Sequence, residues 1–557
     1  MILKKIALSL VVLFVASTAY GHLPADYKKK KVNNLIQKRN DCAPAEQATN
    51  LNVNNVRARL RIGGDLWWDG QGQGNYIVPK PAPGFAGVSA IFAGGVWLGG
   101  EDPAGNLKAA ITQYPSGNVT DFWAGPLDEL GETSASVCND WDRFFEISGD
   151  NVRRHISAWD NSDGELNIDD IPDDVKYWPG RGNPFWAQRF DFDLPDQNLG
   201  AFWDQPGGKA GVYDPTEGDF PLINIRDCEP ATRLAAAELV PDQMIFWIYN
   251  DAGNDHLETG ADKIQMEIQV QAFAYATNDE VNDMTFYRYK LINKSIDDIQ
   301  DCYFAMWTDP DLGCYLDDYI GCDVGRSLAY VYNEDALDGT VGDACPGGVE
   351  TYGANIPILG IDYFRGPRGP KVFRRDEEGE IVLNGDGDPI LDDPVPGTGE
   401  LDTLVELGMS SFVYTNSGAN NEPPGTTDPN NGQQAYNVLR GLWPDGTPVT
   451  FGDQIEGNSG YNPGSTDTVR YVFPGDPNDD NLWSMCSAQL PFGDRRTIQA
   501  TGPILLQAGG LPEELIVGAV FVPDLQYPCP DITRLQFADD IAQSLFDNCF
   551  DLSLIHI

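Results

Sequence analysis

IQMEIQVQAFA, residues 264–274, decides the fold class. Ile264, Met266, Ile268, Val270, Ala272 and Ala274 alternate with Gln265, Glu267, Gln269 and Gln271, the period of two that sends successive side chains to opposite faces of a strand. The reading is a strand with one buried and one wet face. MIFWIY (244–249) precedes it, and TFYRYKLIN (285–293) and CYFAMW (302–307) follow, each set apart by Asn, Asp, Gly or Ser clusters. Together they predict a central antiparallel meander over 244–307.

Farther out, the apolar runs VSAIFAGGVWLGG (88–100), VRYVFPG (469–475) and LIVGAVFV (515–522) sit between turns rich in the chain's 59 glycines and 39 prolines. Helical periodicity is scarce. Its best case is ITRLQFADDIAQSLFDNCF (532–550), where Leu535, Ala538, Ala542, Leu545 and Phe546 share a stripe. The expected fold is mainly β: a large antiparallel β-sandwich-like architecture with long acidic loops and one C-terminal amphipathic helix. β-rich regions are expected over 51–365 and 436–551. Loop-rich excursions are expected over 366–435, because 374–400 and 416–434 are too polar to cover a core.

Met1–Gly21 places Lys4 and Lys5 before an apolar run from Ile6 to Val15 and then small residues, the order of a secretory signal peptide. The run is shorter than the ~20 residues that cross a bilayer, so no membrane span is expected. Residues 22–50 read as a flexible leader, basic at Lys28–Lys31. The ten cysteines, in an exported chain and without a CxxC pair, read as disulfides rather than zinc ligands. Their pairing is open, although Cys302, Cys314, Cys322 and Cys345 lie close enough in sequence for a bridge to staple the acidic stretch between them. The formal charge of −47 repels phosphate backbones and excludes nucleic acid as a partner.

That acidic stretch is WTDPDLGCYLDDYIGCD (307–323). Asp309, Asp311, Asp317, Asp318 and Asp323 are its candidate metal ligands, and calcium is the cofactor that several carboxylates and the tight turn at Gly313 would suit. A solvated loop fits the same residues, and catalysis by Asp309 and Asp311 is the third reading. The spacing is not that of an EF-hand. NGDGDP (384–389) starts with the right alternation but has Pro389 where that loop needs glycine. Histidine chemistry has little room: His22 and His556 are near the ends, leaving His155 and His256, the latter in YNDAGNDHLETGADK (249–263), which reads as a hydrated hairpin loop. GxSxG, HExxH and Walker-type glycine loops are absent. The thirteen tryptophans suit sugar stacking, so an extracellular hydrolase acting on polysaccharide or peptide stands as the alternative to a binding, adhesive or structural role.

Several phrases taken in order carry a family likeness: SAIFAGGVWLGGEDPAGNLKAA (89–110), DFWAGPL (121–127), YWPGRGNPF (177–185), GVYDPTEGDFPLI (211–223), WIYNDAGNDHLETGADK (247–263), TFYRYKLINKS (285–295), WTDPDLGCYLDDYIGCD, YGANIPILGIDYF (352–364) and GPILLQAGGLPEELIVGAV (502–520). From about Asn52 to Phe550 the chain resembles large uncharacterised secreted proteins of the Bacteroidota exported by the type IX secretion system. The resemblance implies a secreted or cell-surface protein and, as partner, the type IX machinery, which recognises a C-terminal sorting domain. No such domain is in view. The chain ends in LSLIHI (552–557), which matches one reading frame of a common sequencing adapter, so those residues read as foreign and the gene as truncated. Relatives often carry a calcium-loop-like run before YDPxxGDYP. Here only Asp204, Asp214 and Asp219 occupy that region. The family brings no agreed catalytic residues.

Overall fold

The alternation over 264–274 does form a strand, in a computed structural model that describes residues 42–339, 345, 348–370, 404–417, 423–452, 457–491 and 493–552. The longer strands, in chain order, are β1 (Ala93–Glu101), β2 (Gln243–Asn250), β3 (Met266–Ala274), β4 (Met284–Asn293), β5 (Ile299–Asp309), β6 (Asp318–Asp323), β7 (Leu328–Asn333), β8 (Ile358–Arg365), β9 (Ser411–Asn416), β10 (Arg495–Leu506) and β11 (Glu513–Val522). They build two antiparallel sheets of nine strands each. One runs through Ala48–Leu51, Arg57–Arg61, Asp65–Leu66, β1, β5, β10 and β9; the other runs through β6, β7, β8, β11, β4, β3, β2 and Trp123–Ala124. The mainly β, sandwich-like class is as expected.

The sheets face one another across an apolar core. Trp67 Nε1 donates to Tyr287 on β4 at 2.9 Å, and the Tyr76 and Thr285 hydroxyls meet at 3.0 Å. Tyr363 of β8 reaches across to β5 and β10, accepting from the Met306 amide and donating to the Gln499 carbonyl. Buried hydroxyls and indoles between sheets need such partners, because an unpaired one costs about 1–3 kcal/mol.

The meander is shorter than expected. β2, β3 and β4 pair in sequence, but β5 crosses to the other sheet and pairs with β1 and β10. β10 and β11 change sheets in the same way. CYFAMW is apolar on both faces, so its pattern fixes a strand without fixing its sheet.

The wet face predicted for β3 is buried too. Glu267, Gln269 and Gln271 are 0%, 2% and 1% exposed. Much of the segment 125–240 folds over this face as short helices and loops, and its backbone supplies the partners: Leu127 N–H donates to Glu267, while Gln269 and Gln271 donate to the carbonyls of Asn198 and Leu222. An irregular layer brings many unpaired peptide groups onto a sheet, and polar side chains satisfy them where apolar ones would not.

Seven α-helices occur among the described residues rather than one. Thr533–Asp547 is the helix expected, with Leu535, Ala538, Ala542, Leu545 and Phe546 buried on β8 and β11. Of the others, Gly149–Asp160 runs for twelve residues and the rest are short, such as Ala135–Trp141 and Gly432–Leu439. Each of these two starts at a side-chain cap, Ser134 and Asn431, and spans too few turns for a periodic signal to stand out.

The described residues from Cys42 onward belong to one unit. The leader expected over 22–50 is held from Cys42, which is bonded to Cys138, and becomes a strand at Ala48–Leu51. Within the 366–435 excursions, β9 joins the first sheet and Asn416 is 3% exposed. The signal peptide, the stretch 374–400 with NGDGDP, and residues 553–557 lie outside the described residues.

Candidate functional site

The acidic stretch is the corner between the sheets. β5 ends at Asp309 in the interior of one sheet, and β6 begins at Asp318 on the edge of the other. Asp318 and Asp323 sit at opposite ends of β6, separated by roughly 16 Å at the usual strand rise. The five aspartates therefore do not converge.

Asp309 and Asp311 do come together, and their third partner is Asp494. One carboxylate oxygen of each lies within 4.8 Å of the others. Register explains the meeting. Thr308 pairs with Thr497 across β5 and β10, and in an antiparallel pair the same register carried outward sets Asp309 opposite Arg496 and Asp311 opposite Asp494. Arg496 Nη1 is 2.7 Å from Asp494, its Nε is 3.4 Å from Asp309 Oδ1, and Asp428 is 3.8 Å away. Tyr114 receives the Arg496 Nε–H at 2.9 Å and donates its hydroxyl to Asp309 Oδ2 at 2.5 Å. One guanidinium thus serves three carboxylates. Burial raises the Asp309 carboxyl above its ordinary range against the pull of Arg496. Asp311 is raised by burial first and then by the charges of Asp309 and Asp494.

The other three aspartates hold backbone. Asp317 accepts from Gly339 N–H at 2.7 Å, and Asp318 accepts from Leu312 N–H at 3.0 Å. Asp338 joins them, accepting from Cys314 N–H, and Cys314–Cys345 staples this corner as the cysteine spacing allowed. Asp323 caps the turn at Gly325 and pairs with Arg326 at 3.0 Å.

Two further sequence candidates are structural. Asp204, Asp214 and Asp219 spend oxygens on Gly211, Thr216, Gln205 and Asp214 amides within one turn system. His256 is not in a hydrated hairpin: it is 5% exposed, with its ring nitrogens against the carbonyls of Ala109 and Asp251. The tryptophans are chiefly core, with Trp67, Trp97, Trp123, Trp178, Trp186, Trp247, Trp307 and Trp443 withdrawn from solvent, so they are not a sugar-stacking surface.

Beside the carboxylate cluster lies a hollow of about 490 Å³, with Asp311, Tyr315 and Glu350 on one side and Arg57, Gln73 and Asn75 on the other. Asp494, Arg496 and this hollow are what the sequence reading missed. Their only signal, GDRRT at 493–497, looks like a polar loop because two arginines open β10.

No protein-family model matches the chain, and no curated protein matches it. No helix among the described residues is long and apolar enough to cross a membrane. Four disulfides, Cys42–Cys138, Cys228–Cys549, Cys314–Cys345 and Cys486–Cys529, fit an oxidising, extracellular setting.

Proposed function

We propose that this is a secreted or cell-surface protein with a binding, adhesive or structural role, its sandwich reinforced by calcium at Asp309, Asp311 and Asp494. The type IX machinery is the export partner that the family resemblance implies. The observation that carries the calcium reading is the convergence of three carboxylates within 4.8 Å. Two oxygens that both lie 2.3–2.6 Å from one calcium are at most about 5 Å apart, so the separation suits a shared ion. Charge supports it as well, since Arg496 pairs with three carboxylates at once, Asp309, Asp428 and Asp494.

A polysaccharide hydrolase is the second reading, favoured because Asp311 and Glu350 line one hollow. The binding role is preferred. Asp309, the nearest companion of Asp311, is 2% exposed and committed to Tyr114 and Arg496, so it does not reach a substrate.

The test is calorimetry of the purified protein with millimolar calcium and with chelator. Calcium raises the melting temperature of the native chain, and Asp311→Asn together with Asp494→Asn removes the increase. Superimposable curves for the native chain with and without calcium would rule the cation out.

A further inference from the structure

We infer that the hollow lined by Arg57, Gln73, Asn75, Asp311, Tyr315 and Glu350 is a binding site for a neutral saccharide. This names a ligand for the binding role above and rests on that reading. The walls are planar hydrogen-bonding groups: two carboxylates, two amides and a guanidinium. Arg57 spends one donor on the Ala86 carbonyl at 3.3 Å, and the amide nitrogens of Gln73 and Asn75 donate to neighbouring carbonyls. Their amide oxygens and the side-chain oxygens of Asp311 and Glu350, which line the same hollow, make no hydrogen bonds to the described residues. Such a surplus of acceptors suits a ligand dense in hydroxyl donors.

Phe92 and Tyr315 are half-buried and add ring surface to the same hollow. Aromatic rings and planar polar groups together favour a body that is apolar on its faces and polar at its edge. A pyranose has that shape. The volume of about 490 Å³ falls within the usual range for small-ligand sites and takes a short oligosaccharide rather than a polymer groove.

The site is held in place before any ligand arrives. Asp311 and Tyr315 flank Cys314, Glu350 follows Cys345 closely, and the Cys314–Cys345 bond ties the two segments together. Gly313, at φ +79°, brings this turn against Asp338, whose carboxylate a side chain there would strike. Preorganisation of this kind lowers the ordering cost of binding. The net charge of −47 disfavours uronates and sulfated sugars at long range, which leaves neutral saccharides as the class.

The test is titration of the full chain with cellobiose, maltotriose and chitobiose by calorimetry and ligand-observed NMR. Oligogalacturonate and glycylglycine serve as the anionic and peptide comparisons. The variants are Tyr315→Ala and Glu350→Gln, both outside the carboxylate cluster, with unchanged melting temperature as the check on folding. At least one neutral saccharide binds, each variant weakens it by roughly tenfold or more, and oligogalacturonate does not compete. Three results overturn the site: no neutral saccharide binds at millimolar concentration, the variants bind as the native chain does, or glycylglycine binds as tightly. A null titration alongside a calcium-dependent melting temperature removes the site and leaves the calcium-reinforced fold standing. New reducing ends released during titration keep the saccharide site and remove the non-catalytic reading.

Discussion

His256 and Asp251 face each other inside the fold, ring Nε2 3.6 Å from the carboxylate and both side chains closed off from solvent. Nδ1 lies 2.8 Å from the Ala109 carbonyl and Nε2 lies 2.7 Å from the Asp251 carbonyl. Each ring nitrogen thus has a carbonyl oxygen within hydrogen-bond reach. Asp251, whose carboxyl burial raises above its ordinary range, accepts the amides of Ile264 and Met266, and the Trp123 ring stacks on the imidazole at 6.0 Å. Replacing His256 with Ala should therefore cost about 1–3 kcal/mol, the usual penalty for leaving buried polar groups without a partner. Urea denaturation measures it, and a loss within the range of a surface substitution contradicts a structural role for this contact.

Acid should stabilise this protein relative to mild alkali. Burial raises Asp338 to about 6, Asp219 and Asp317 to about 7, and Glu258 to about 8. A raised carboxyl binds its proton more tightly when folded, so its contribution is complete below the unfolded pKa and is lost as pH rises through the folded one. His155 opposes this on the acid side: burial lowers it to about 4, so its contribution falls away as pH drops from about 6.5. Four carboxyls outweigh one histidine, so stability should be greatest near pH 4 and decline by several kcal/mol in all toward pH 9. Urea midpoints measured across that interval check it, and a midpoint that rises with pH contradicts it.

Thiol accessibility gives a sharper count. Cys302 and Cys322 are buried and unbonded, one on β5 and one on β6, while the other eight cysteines form four bridges. Alkylation of the native protein should label none, alkylation in denaturant two, and alkylation after reduction ten. Breaking the Cys228–Cys549 bridge, which ties the end of the C-terminal helix to the 226–230 turn, should cost ~2–5 kcal/mol. Four labels in denaturant before reduction would mean that one bridge is absent.

How far the sequence could carry the reading follows from the range of its signals. The alternation in β3 and the stripe Leu535, Ala538, Ala542, Leu545 and Phe546 are local, and both describe the observed elements. Which sheet β5 joins is not local, because Phe304 and Trp307 are buried on a strand with apolar residues on both faces. The burial of Gln269 and Gln271 depends on residues 198 and 222 and was misread as exposure. At the site, Asp309 and Asp311 were legible as a cluster of like charges. Asp494 and Arg496 were not, since only the β5 and β10 register brings them near. Asp317, Asp318 and Asp323 stand outside that cluster and accept backbone amides, and in sequence such aspartates look like aspartates that hold metal.

The C-terminal helix meets β8 at two buried acids. Asp362 on β8 is fully buried, Asp539 in the helix is 2% exposed, and each carboxyl group acts on the other's titration. Two carboxylates in that contact cannot both ionise, and burial, which is the larger effect, raises each above its ordinary range. Arg326 tempers Asp539 from 3.9 Å but is itself committed to Asp323 and Asp540, each at 3.0 Å. Below neutrality the pair keeps its proton and the helix stays seated. As pH rises through the raised pKa the proton leaves, and the two negative charges push the helix from β8. Asp539→Asn keeps a donor toward Asp362 and removes the repulsion. The variant should match the native chain near pH 5 and melt at a higher temperature near pH 9. Hydrogen exchange along 533–547 should slow in the variant at the higher pH and remain the same at the lower. A variant that melts below the native chain by the same amount at both pH values would show that the pair is a fixed structural contact and not a titrating one.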